Sequence, residues 1–315
     1  MTLVKPMKAP SKSVHDLMRL EDLTFPRLVS FKVDGFRATV QDATLLTSSL
    51  KPVVNEFTQK LFGFGDLEGF DGELTVGEPV GRDLFSRTSS GVTSRSGQPD
   101  VRFYVFDIFD PRGLRIPYVE RAGHLRNVFN KLPRMACFAP RVHLLKQVRV
   151  NDLKSLLLLE QEALALGYEG LMLRSLEGPY KEGPNRATLK EGYLLKLKRF
   201  EHSEARITKL AEGQTNLNEA RTDELGRSRR SASKAGKVAS GTLGKLIGID
   251  VHTKEEVIIG PGTMKHDERA AIWQDHSLAV GKLARYKFFP TGTKDAPRFP
   301  TFEGWRDPSD MTEHT

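Results

Sequence analysis

Cysteine is almost absent from this 315-residue sequence, in which Cys137 is the single example. One cysteine cannot form an intramolecular disulfide, and the sequence has no Cys/His cluster of the kind that binds zinc. The first twelve residues also lack the apolar stretch of a secretory signal peptide. These absences predict a protein that works in a reducing, cytoplasmic setting.

Long hydrophobic runs are missing too. The longest aliphatic run is the four leucines at 156–159, far short of the roughly 20 residues that a membrane-spanning helix needs. We therefore expect no membrane association. The length is ample for a core without disulfide or metal staples, and it suits one large domain with a smaller one.

Negative charge is in deficit. Lys and Arg number 48 against 40 Asp and Glu, which gives a net charge of +8 at pH 7 and an isoelectric point near 9.5. Such a balance favours a polyanionic partner such as nucleic acid. A basic surface without any such partner explains the charge equally well, so charge alone does not decide between the two.

The arrangement of apolar residues predicts an α+β protein. Residues 29–118 alternate in short runs broken by Gly, Asp and Pro, which predicts a mainly antiparallel sheet with a polar loop at 86–100. Helical spacing with a capping residue appears at 151–167. Beyond 202, short strands, Gly-rich turns and one helix predict a small β-barrel. We place the boundary between an α+β domain, 1–202, and this barrel, 203–315.

A lysine interrupts the first strand of that sheet. Lys32 and Asp34 share one face of the alternating stretch 29–34, opposite its apolar residues. The Asp-Gly pair that follows predicts a turn returning Arg37 on the neighbouring strand. Taken alone, a solvated lysine on an exposed hairpin is the commoner explanation.

Similar polar intrusions recur along the first domain. Each has a structural explanation of its own: a hairpin tip, a core aromatic, a strand-end acid or edge lysines that prevent aggregation. Their recurrence within one domain indicates a functional site. Besides Lys32, the residues concerned are Glu73, Phe106 with the adjacent acid Asp107, Glu169, Lys196 and Lys198.

These stretches resemble the motifs of a known family. "KVDGFR" at 32–37 resembles the nucleotidyl-transferase motif Lys-x-Asp-Gly-x-Arg, and "DGEL", "FYVFDIF", "EGLMLR" and "LLKLK" resemble the successive motifs of ATP-dependent DNA ligases. "RFPTFEGWRD" near the C-terminus resembles the last motif of that family, which an OB-fold carries. The resemblance covers nearly the whole chain, which is similar to the small bacteriophage ligases. It implies an adenylation (nucleotidyltransferase) domain at 1–202 and an OB-fold at 203–315.

The family joins nicks through AMP held on a lysine, so the resemblance implies that Lys32 attacks the α-phosphate of ATP. The attack needs a neutral amine, and at a reference pKa of about 10.4 a lysine at pH 7 is neutral only about once in a few thousand molecules. We expect partial burial and nearby cations, namely Lys196, Lys198 and Arg37, to disfavour the ammonium.

The resemblance also implies the contacts of the nucleotide. Lys196 and Lys198 would contact the α-phosphate, and the ring of Phe106 would stack on adenine. Arg298 and Arg306 in the last motif would orient the β- and γ-phosphates. A hinge at 199–205 would then let the OB-fold close and reopen.

Carboxylates and phosphate oxygens are hard ligands, which predicts Mg²⁺, with Mn²⁺ as a substitute. The resemblance implies that Glu169, Glu73 and Asp34 are the candidate metal ligands, and that Glu73 could instead contact the ribose. Asp34 would also assist the later steps at the nick, while Arg37 would contact the sugar or the nick phosphate.

The expected partner is nicked double-stranded DNA, bound by a monomer in the cytoplasm, which is that of the host cell if a phage encodes the protein. Many relatives carry an arginine for the nick phosphate where this sequence offers Ser48 or Ser49, with Lys51 the nearest cation. A basic tract could be an unstructured linker or a loop that orders on DNA phosphates. Its candidate residues are Arg227, Arg229, Arg230, Lys234 and Lys237.

Two alternatives stay open at this point. An RNA ligase or an mRNA-capping guanylyltransferase shares the lysine but differs in base and acceptor. A non-catalytic OB-fold protein that only binds nucleic acid is of a different class, and it leaves Lys32 and the carboxylates unexplained.

Overall fold

A computed structural model describes residues 3–10, 13–14, 17–81, 83–110, 112–132, 138–182, 191–222, 228–231, 233–289 and 297–307. The chain divides into two compact units, Met1–Arg199 and Phe200–Thr315. Antiparallel sheets with a few helices make up both, so the predicted α+β class is confirmed. Across the described ranges, no helix is long and apolar enough to cross a membrane.

The described residues of the first unit form nine strands and four α-helices. The strands are β1 (Arg27–Phe31), β2 (Phe36–Gln41), β3 (Thr44–Thr47), β4 (Phe70–Val76), β5 (Val101–Ile108), β6 (Val142–Leu144), β7 (Val148–Val150), β8 (Leu171–Ser175) and β9 (Leu194–Leu197). The helices are α1 (Glu56–Phe62), α2 (Leu84–Thr93), α3 (Tyr118–Lys131) and α4 (Leu153–Ala165).

These strands form two sheets. One has the order β7-β1-β8-β9 and is antiparallel throughout; the other has the order β3-β2-β4-β5-β6, with β6 parallel to β5. In the first sheet, Val29 and Leu173 lie in the buried core together with Leu195. Ser30 pairs with Met172, which pairs with Lys196, so these three side chains share the opposite face.

The predicted hairpin after Lys32 is wrong. Both edges of β1 are already paired, with β7 and with β8, so β2 cannot join it and belongs to the other sheet. The segment 32–35 therefore crosses from one sheet to the other. Gly35 allows the crossing, because a Cβ there would lie 2.1 Å from the carbonyl oxygen of Leu74. This crossing places Lys32 and Arg37 between the two sheets.

The helix at 151–167 is confirmed as α4, with Asp152 accepting a hydrogen bond from the backbone N–H of Ser155 at 2.7 Å. The polar loop predicted at 86–100 is wrong for its first half, which is helical as part of α2. Leu84, Thr88 and Val92 are its buried residues. Their four-residue spacing forms one face of a helix, but serine and glycine between them hide the apolar pattern.

The second unit is built on one five-stranded sheet. Its elements are β10 (Glu201–Asn216), β11 (Ala220–Thr222), β12 (Ser228–Arg230), β13 (Lys237–Asp250), β14 (Glu256–Ile259), β15 (Leu283–Phe289), β16 (Arg298–Arg306) and α5 (His266–Gln274). The sheet order is β14-β13-β10-β15-β16, and β11 and β12 pair with each other as a separate two-stranded sheet.

The two edges of this sheet meet without forming a continuous ladder. Gly260, just after β14, donates its N–H to the carbonyl of Pro300 at 2.9 Å and accepts from the N–H of Phe302 at 2.9 Å. The architecture is thus a partly open five-stranded barrel, as OB-folds are.

A buried carboxylate fixes one side of this barrel. Asp250 accepts hydrogen bonds from the hydroxyls of Ser203 at 2.6 Å and Tyr286 at 2.5 Å, and from the N–H groups of His252 and Thr253 at 2.8 Å. Burial acts to raise the pKa of Asp250, but these hydrogen bonds outweigh it and the pKa is lowered. Asp250 therefore stabilises the fold as a carboxylate.

Candidate active site

Lys32 lies directly after β1, with its side chain against a carboxylate. Its Nζ contacts one oxygen of Glu169, and the Nζ of Lys198 contacts the other. The side chains of Lys32, Lys198 and Glu169 are 20%, 12% and 5% exposed, respectively. A single nearly buried carboxylate thus contacts two of the three amines predicted for the site, those of Lys32 and Lys198.

The backbone brings these three residues to one end of the first sheet. Lys32 donates its N–H to the carbonyl of Gly170 at 2.8 Å, and Lys198 directly follows β9, the neighbour of β8. Gly170 has a φ of +142°, and a Cβ there would lie 2.2 Å from the carbonyl oxygen of Leu197. Only glycine allows the approach that places Glu169 between the two lysines.

An acid lies beside Lys32, in addition to the cations that the sequence predicts there. The amine of Lys32 contacts the carboxylate of Glu169, as does the amine of Lys198. Arg37 bonds instead to Asp71, with Nε 2.5 Å from Oδ1 and Nη2 2.7 Å from Oδ2. Local sequence does not show which acid each cation meets across the fold.

A cavity of about 300 Å³ lies beside Lys32. Five residues that the sequence predicts for the site line it, namely Lys32, Arg37, Glu73, Phe106 and Lys196. Its size falls at the lower end of ligand pockets, which span about 300–1,000 Å³.

Phe106 is an aromatic wall of this cavity. Its carbonyl accepts hydrogen bonds from the hydroxyl of Tyr118 at 2.8 Å and from Nε2 of Gln147 at 2.9 Å. The guanidinium carbons of Arg37 and Arg174 lie 4.6 and 5.4 Å from the ring centroid. The ring is therefore held in place from the backbone and is bordered by cations.

Glu73 lies on β4, opposite Arg37 on β2. Burial raises the pKa of Glu73 to about 7, although the nearby charges of Arg37 and Lys32 act to lower it. A cation or a hydrogen-bond donor brought into the cavity would stabilise the ionised form of this carboxylate.

Sequence reasoning missed a buried ion cluster behind Phe106. Asp107 is fully buried and accepts from Arg121 at 2.9 and 3.1 Å and from Arg174 at 2.7 Å. Arg174 in turn lines the cavity. An acid inside the apolar run at 101–109 is the signal that could have indicated buried partners.

Other cavity residues were also missed. Ser30 and Met172 line the cavity in the same row as Lys196, and Lys8 comes from the N-terminal segment. The alternation of β8 could have found Met172, because every second residue of a strand faces the same side. Nothing in the local sequence marks Lys8.

The predicted metal ligands Asp34, Glu73 and Glu169 are not gathered into one group. No cluster of three or more His, Cys, Asp or Glu side chains suited to a metal ion exists among the residues that the structure describes. Glu169 is instead engaged by two lysines. The donor set still fits a hard cation, because Glu73 is a half-buried carboxylate that lines the cavity and Glu169 lies beside Lys32.

The other predicted residues are the candidates for the nick phosphate and those of the second unit. Lys51 is exposed, whereas Ser48 lines the cavity. In the second unit, Nε of Arg306 lies 3.6 Å from Glu204, and Lys234 is exposed. Lys237 begins β13. Arg227 and the side chains of Arg229, Arg230 and Arg298 fall outside the described residues.

Comparison with known proteins is consistent with this geometry. Residues 6–198 match the ATP dependent DNA ligase domain family. A DNA ligase of African swine fever virus is 24% identical over 297 residues, which cover 90% of this chain and 62% of that ligase. This chain therefore spans less than two thirds of the length of that relative.

Two solved structures extend the likeness to the second unit. A Chlorella virus DNA ligase-adenylate is 30% identical, with a TM-score of 0.54, over 97% of this chain and 99% of that one. A structure of Lig E DNA ligases is 23% identical, with a TM-score of 0.69, over 96% and 100%, and bears on the fold alone. The match over residues 6–198 and this likeness place the chain in one family. It belongs to the ATP-dependent DNA ligases.

Proposed function

We propose that this chain seals nicks in duplex DNA, using ATP to form a covalent lysyl-AMP intermediate. The observation that carries the proposal is the contact of Glu169 with both Lys32 and Lys198, next to the cavity that Phe106 lines. A nucleophilic amine, a carboxylate and further cations beside a ligand-sized cavity suit transfer of a nucleotidyl group. The Chlorella virus relative is itself described as a ligase-adenylate.

In the first step, Lys32 loses a proton and its nitrogen bonds to the α-phosphorus of ATP. The bond from that phosphorus to the bridging oxygen breaks, and pyrophosphate leaves. Glu169 contacts Nζ of Lys32 and so lies where it can accept the proton. Lys198 contacts the other oxygen of the same carboxylate. Its positive charge would stabilise the negative charge that develops on the α-phosphate during the transfer.

Two further transfers complete the reaction. An oxygen of the 5′-phosphate at the nick attacks the adenylyl phosphorus, and the nitrogen of Lys32 leaves. The 3′-hydroxyl then attacks the 5′-phosphorus, and AMP leaves as the backbone bond forms. Lys196 lines the cavity and would hold the α-phosphate in place during the first two transfers.

The residues that line the cavity would bind the nucleotide. Phe106 offers its ring to the adenine, and Glu73 faces the cavity where a ribose hydroxyl could donate to it. A divalent metal, which we propose to be Mg²⁺ with Mn²⁺ as a substitute, would neutralise phosphate charge when held by Glu169 and Glu73. Roles for Asp34, for Arg298 and Arg306 on the outer phosphates, and for a hinge at 199–205 stay predictions from the sequence.

The choice of base separates this proposal from a capping guanylyltransferase. Incubation with radiolabelled ATP should label the protein, whereas labelled GTP at equal concentration should label it at least about tenfold less, the effect of about 1.4 kcal/mol in recognition. Denaturing gel electrophoresis measures the covalent label. Labelling by GTP alone would overturn the assignment to ATP. Sealing of nicked RNA in preference to nicked DNA by the labelled enzyme would favour an RNA ligase.

DNA binding is proposed for the basic tract at the end of a long two-stranded extension. β10 and β13 stay paired as far as Asn216 and Lys237, and β11 pairs with β12 beyond them. This pairing supports an ordered element in preference to an unstructured linker. Exposed lysines on such an element would contact phosphates and so bind without reading sequence.

Binding to nicked duplex should weaken steeply with salt, because each phosphate contact releases counterions with a slope of about −0.9 per phosphate. The change Lys234→Ala with Lys237→Ala should reduce that slope by about 2. Lys254→Ala with Lys265→Ala, which removes two exposed lysines of the same unit outside the tract, should leave it unchanged. Fluorescence anisotropy across a salt series measures both slopes; equal slopes would remove the tract from the DNA contact.

Monomeric action and a cytoplasmic location are part of the same proposal. The reaction needs one lysine, one cavity and one nick, and each chain contains the first two. A non-catalytic OB-fold protein would bind DNA without acquiring label from ATP, so the labelling experiment separates that alternative too.

A further inference from the structure

Two acids on the neighbouring strand β4, Glu73 and Asp71, are possible partners for Arg37. In the β2–β4 ladder it lies directly opposite Glu73, while Asp71 lies opposite Thr39. Opposite charges at facing positions normally pair. The guanidinium nevertheless turns away from Glu73 and forms a two-pronged contact with Asp71, with distances of 2.5 and 2.7 Å.

Asp71 needs hydrogen-bond donors from the protein more than Glu73 does. It is fully buried, and an ionised carboxylate without water needs donors on both oxygens. Arg37 supplies one donor to each oxygen, and the hydroxyl of Tyr180 donates to Oδ2 at 2.7 Å. Three hydrogen bonds thus fix Asp71 and, through it, the direction of Arg37.

Tyr180 is itself rigidly placed. It is 2% exposed, and its ring lies against that of Phe109 with centroids 4.7 Å apart. Its backbone N–H donates to the carbonyl of Leu114 at 2.7 Å. A buried hydroxyl on so fixed a ring determines where the Asp71 carboxylate can lie.

The direction of Arg37 has two consequences in the cavity. Its guanidinium carbon lies 4.6 Å from the centroid of Phe106. Glu73 is left without a cation within ion-pairing distance, 4.0 Å, among the described residues, and it faces the cavity. The orientation of the Arg37 side chain therefore places its guanidinium against the ring of Phe106. It also leaves the carboxylate of Glu73 available in the cavity.

We propose that Tyr180 and Asp71 are positioning residues, which hold Arg37 against Phe106 and away from Glu73 so that Glu73 stays available to the nucleotide. The inference rests on the proposed function, because it assigns the cavity to ATP. Neither residue touches the nucleotide; both act through Arg37. Without the Tyr180 hydroxyl, Asp71 holds Arg37 less firmly, and Arg37 pairs with Glu73 opposite it.

The test uses binding of an ATP analogue that cannot react, α,β-methylene-ATP, to the full-length protein by titration calorimetry. Tyr180→Phe should raise its dissociation constant about tenfold, which corresponds to one hydrogen bond of typical strength. The matched control is Tyr286→Phe, which also removes a buried hydroxyl bonded to a buried carboxylate, Asp250, but in the second unit. It should bind the analogue as the wild type does.

A double-mutant cycle separates positioning from mere structure. In a Glu73→Gln background, Tyr180→Phe should have little further effect, because there is no longer a carboxylate to compete for Arg37. A purely structural role of Tyr180 would make the two effects additive. Unfolding midpoints of Tyr180→Phe and Tyr286→Phe should fall by comparable amounts, so a difference in binding cannot come from stability.

The outcomes are distinct. A dissociation constant for Tyr180→Phe equal to that of the wild type, or additive effects with Glu73→Gln, would overturn the positioning role. Failure of the wild type to form lysyl-AMP from ATP would overturn the proposed function and is measured separately, by labelling. Absence of any analogue binding by the wild type would overturn both.

Discussion

Lys32→Ala should abolish the covalent AMP adduct, with no label detectable after incubation with radiolabelled ATP. The variant has no side-chain nitrogen beside Glu169 and the cavity, and an alanine methyl group cannot form a bond to phosphorus. Binding of nicked DNA should stay within about twofold of the wild type, because a single charge adds little to a surface that contacts several phosphates. Gel labelling and fluorescence anisotropy measure the two properties.

Lys32→Arg is the matched control for charge. It keeps a cation that can pair with Glu169, but a guanidinium is not a nucleophile at neutral pH because it stays protonated. The variant should therefore be as inactive as alanine in adduct formation. Adduct on either variant, mapped to another residue, would show that Lys32 is not the acceptor.

Glu169→Gln should slow adduct formation by about 10²–10⁴-fold, the usual contribution of a group that takes a proton in the reaction. The amide keeps the shape of the side chain but removes the charge that Lys32 and Lys198 share. It can neither accept the proton nor hold both amines in position. Single-turnover labelling with saturating ATP gives the rate constant directly.

Glu160→Gln is a matched control for that variant. Glu160 on α4 has a side chain that is 3% exposed, close to the 5% of Glu169, and it pairs with Arg199 at 2.6 and 2.8 Å. It does not line the described cavity. Its loss should lower stability and leave the rate constant of adduct formation unchanged. Equal slowing in both variants would mean that loss of a buried ion pair, and not the position of Glu169, causes the effect.

Part of the site could be predicted from the sequence because its residues lie on strands. Alternation in a strand puts every second side chain on one face, so charged residues within apolar runs indicate a shared polar face. Lys32, Glu73, Phe106 and Lys196 were found in this way together with the family resemblance, and all four line the cavity. The helix α4 was predictable because its cap and its apolar stripe are local.

The rest depends on contacts that local sequence does not encode. An Asp-Gly pair signals a turn, but not whether the next strand joins the same sheet; the paired edges of β1 decided that. Likewise, Arg37 meets Asp71 and not Glu73 because Tyr180, more than a hundred residues away, donates to the same carboxylate. Partner choice among buried charges follows from tertiary packing.

In the proposed reaction the amine of Lys32 holds AMP during nick sealing, and peptide mapping tests this role at the residue itself. The protein is incubated with ATP and Mg²⁺, digested, and its peptides are analysed by tandem mass spectrometry before and after nicked duplex is added. We expect one added AMP, located on Lys32, that disappears as sealed product forms. AMP on any other residue, or sealing while the adduct on Lys32 never appears, would contradict it.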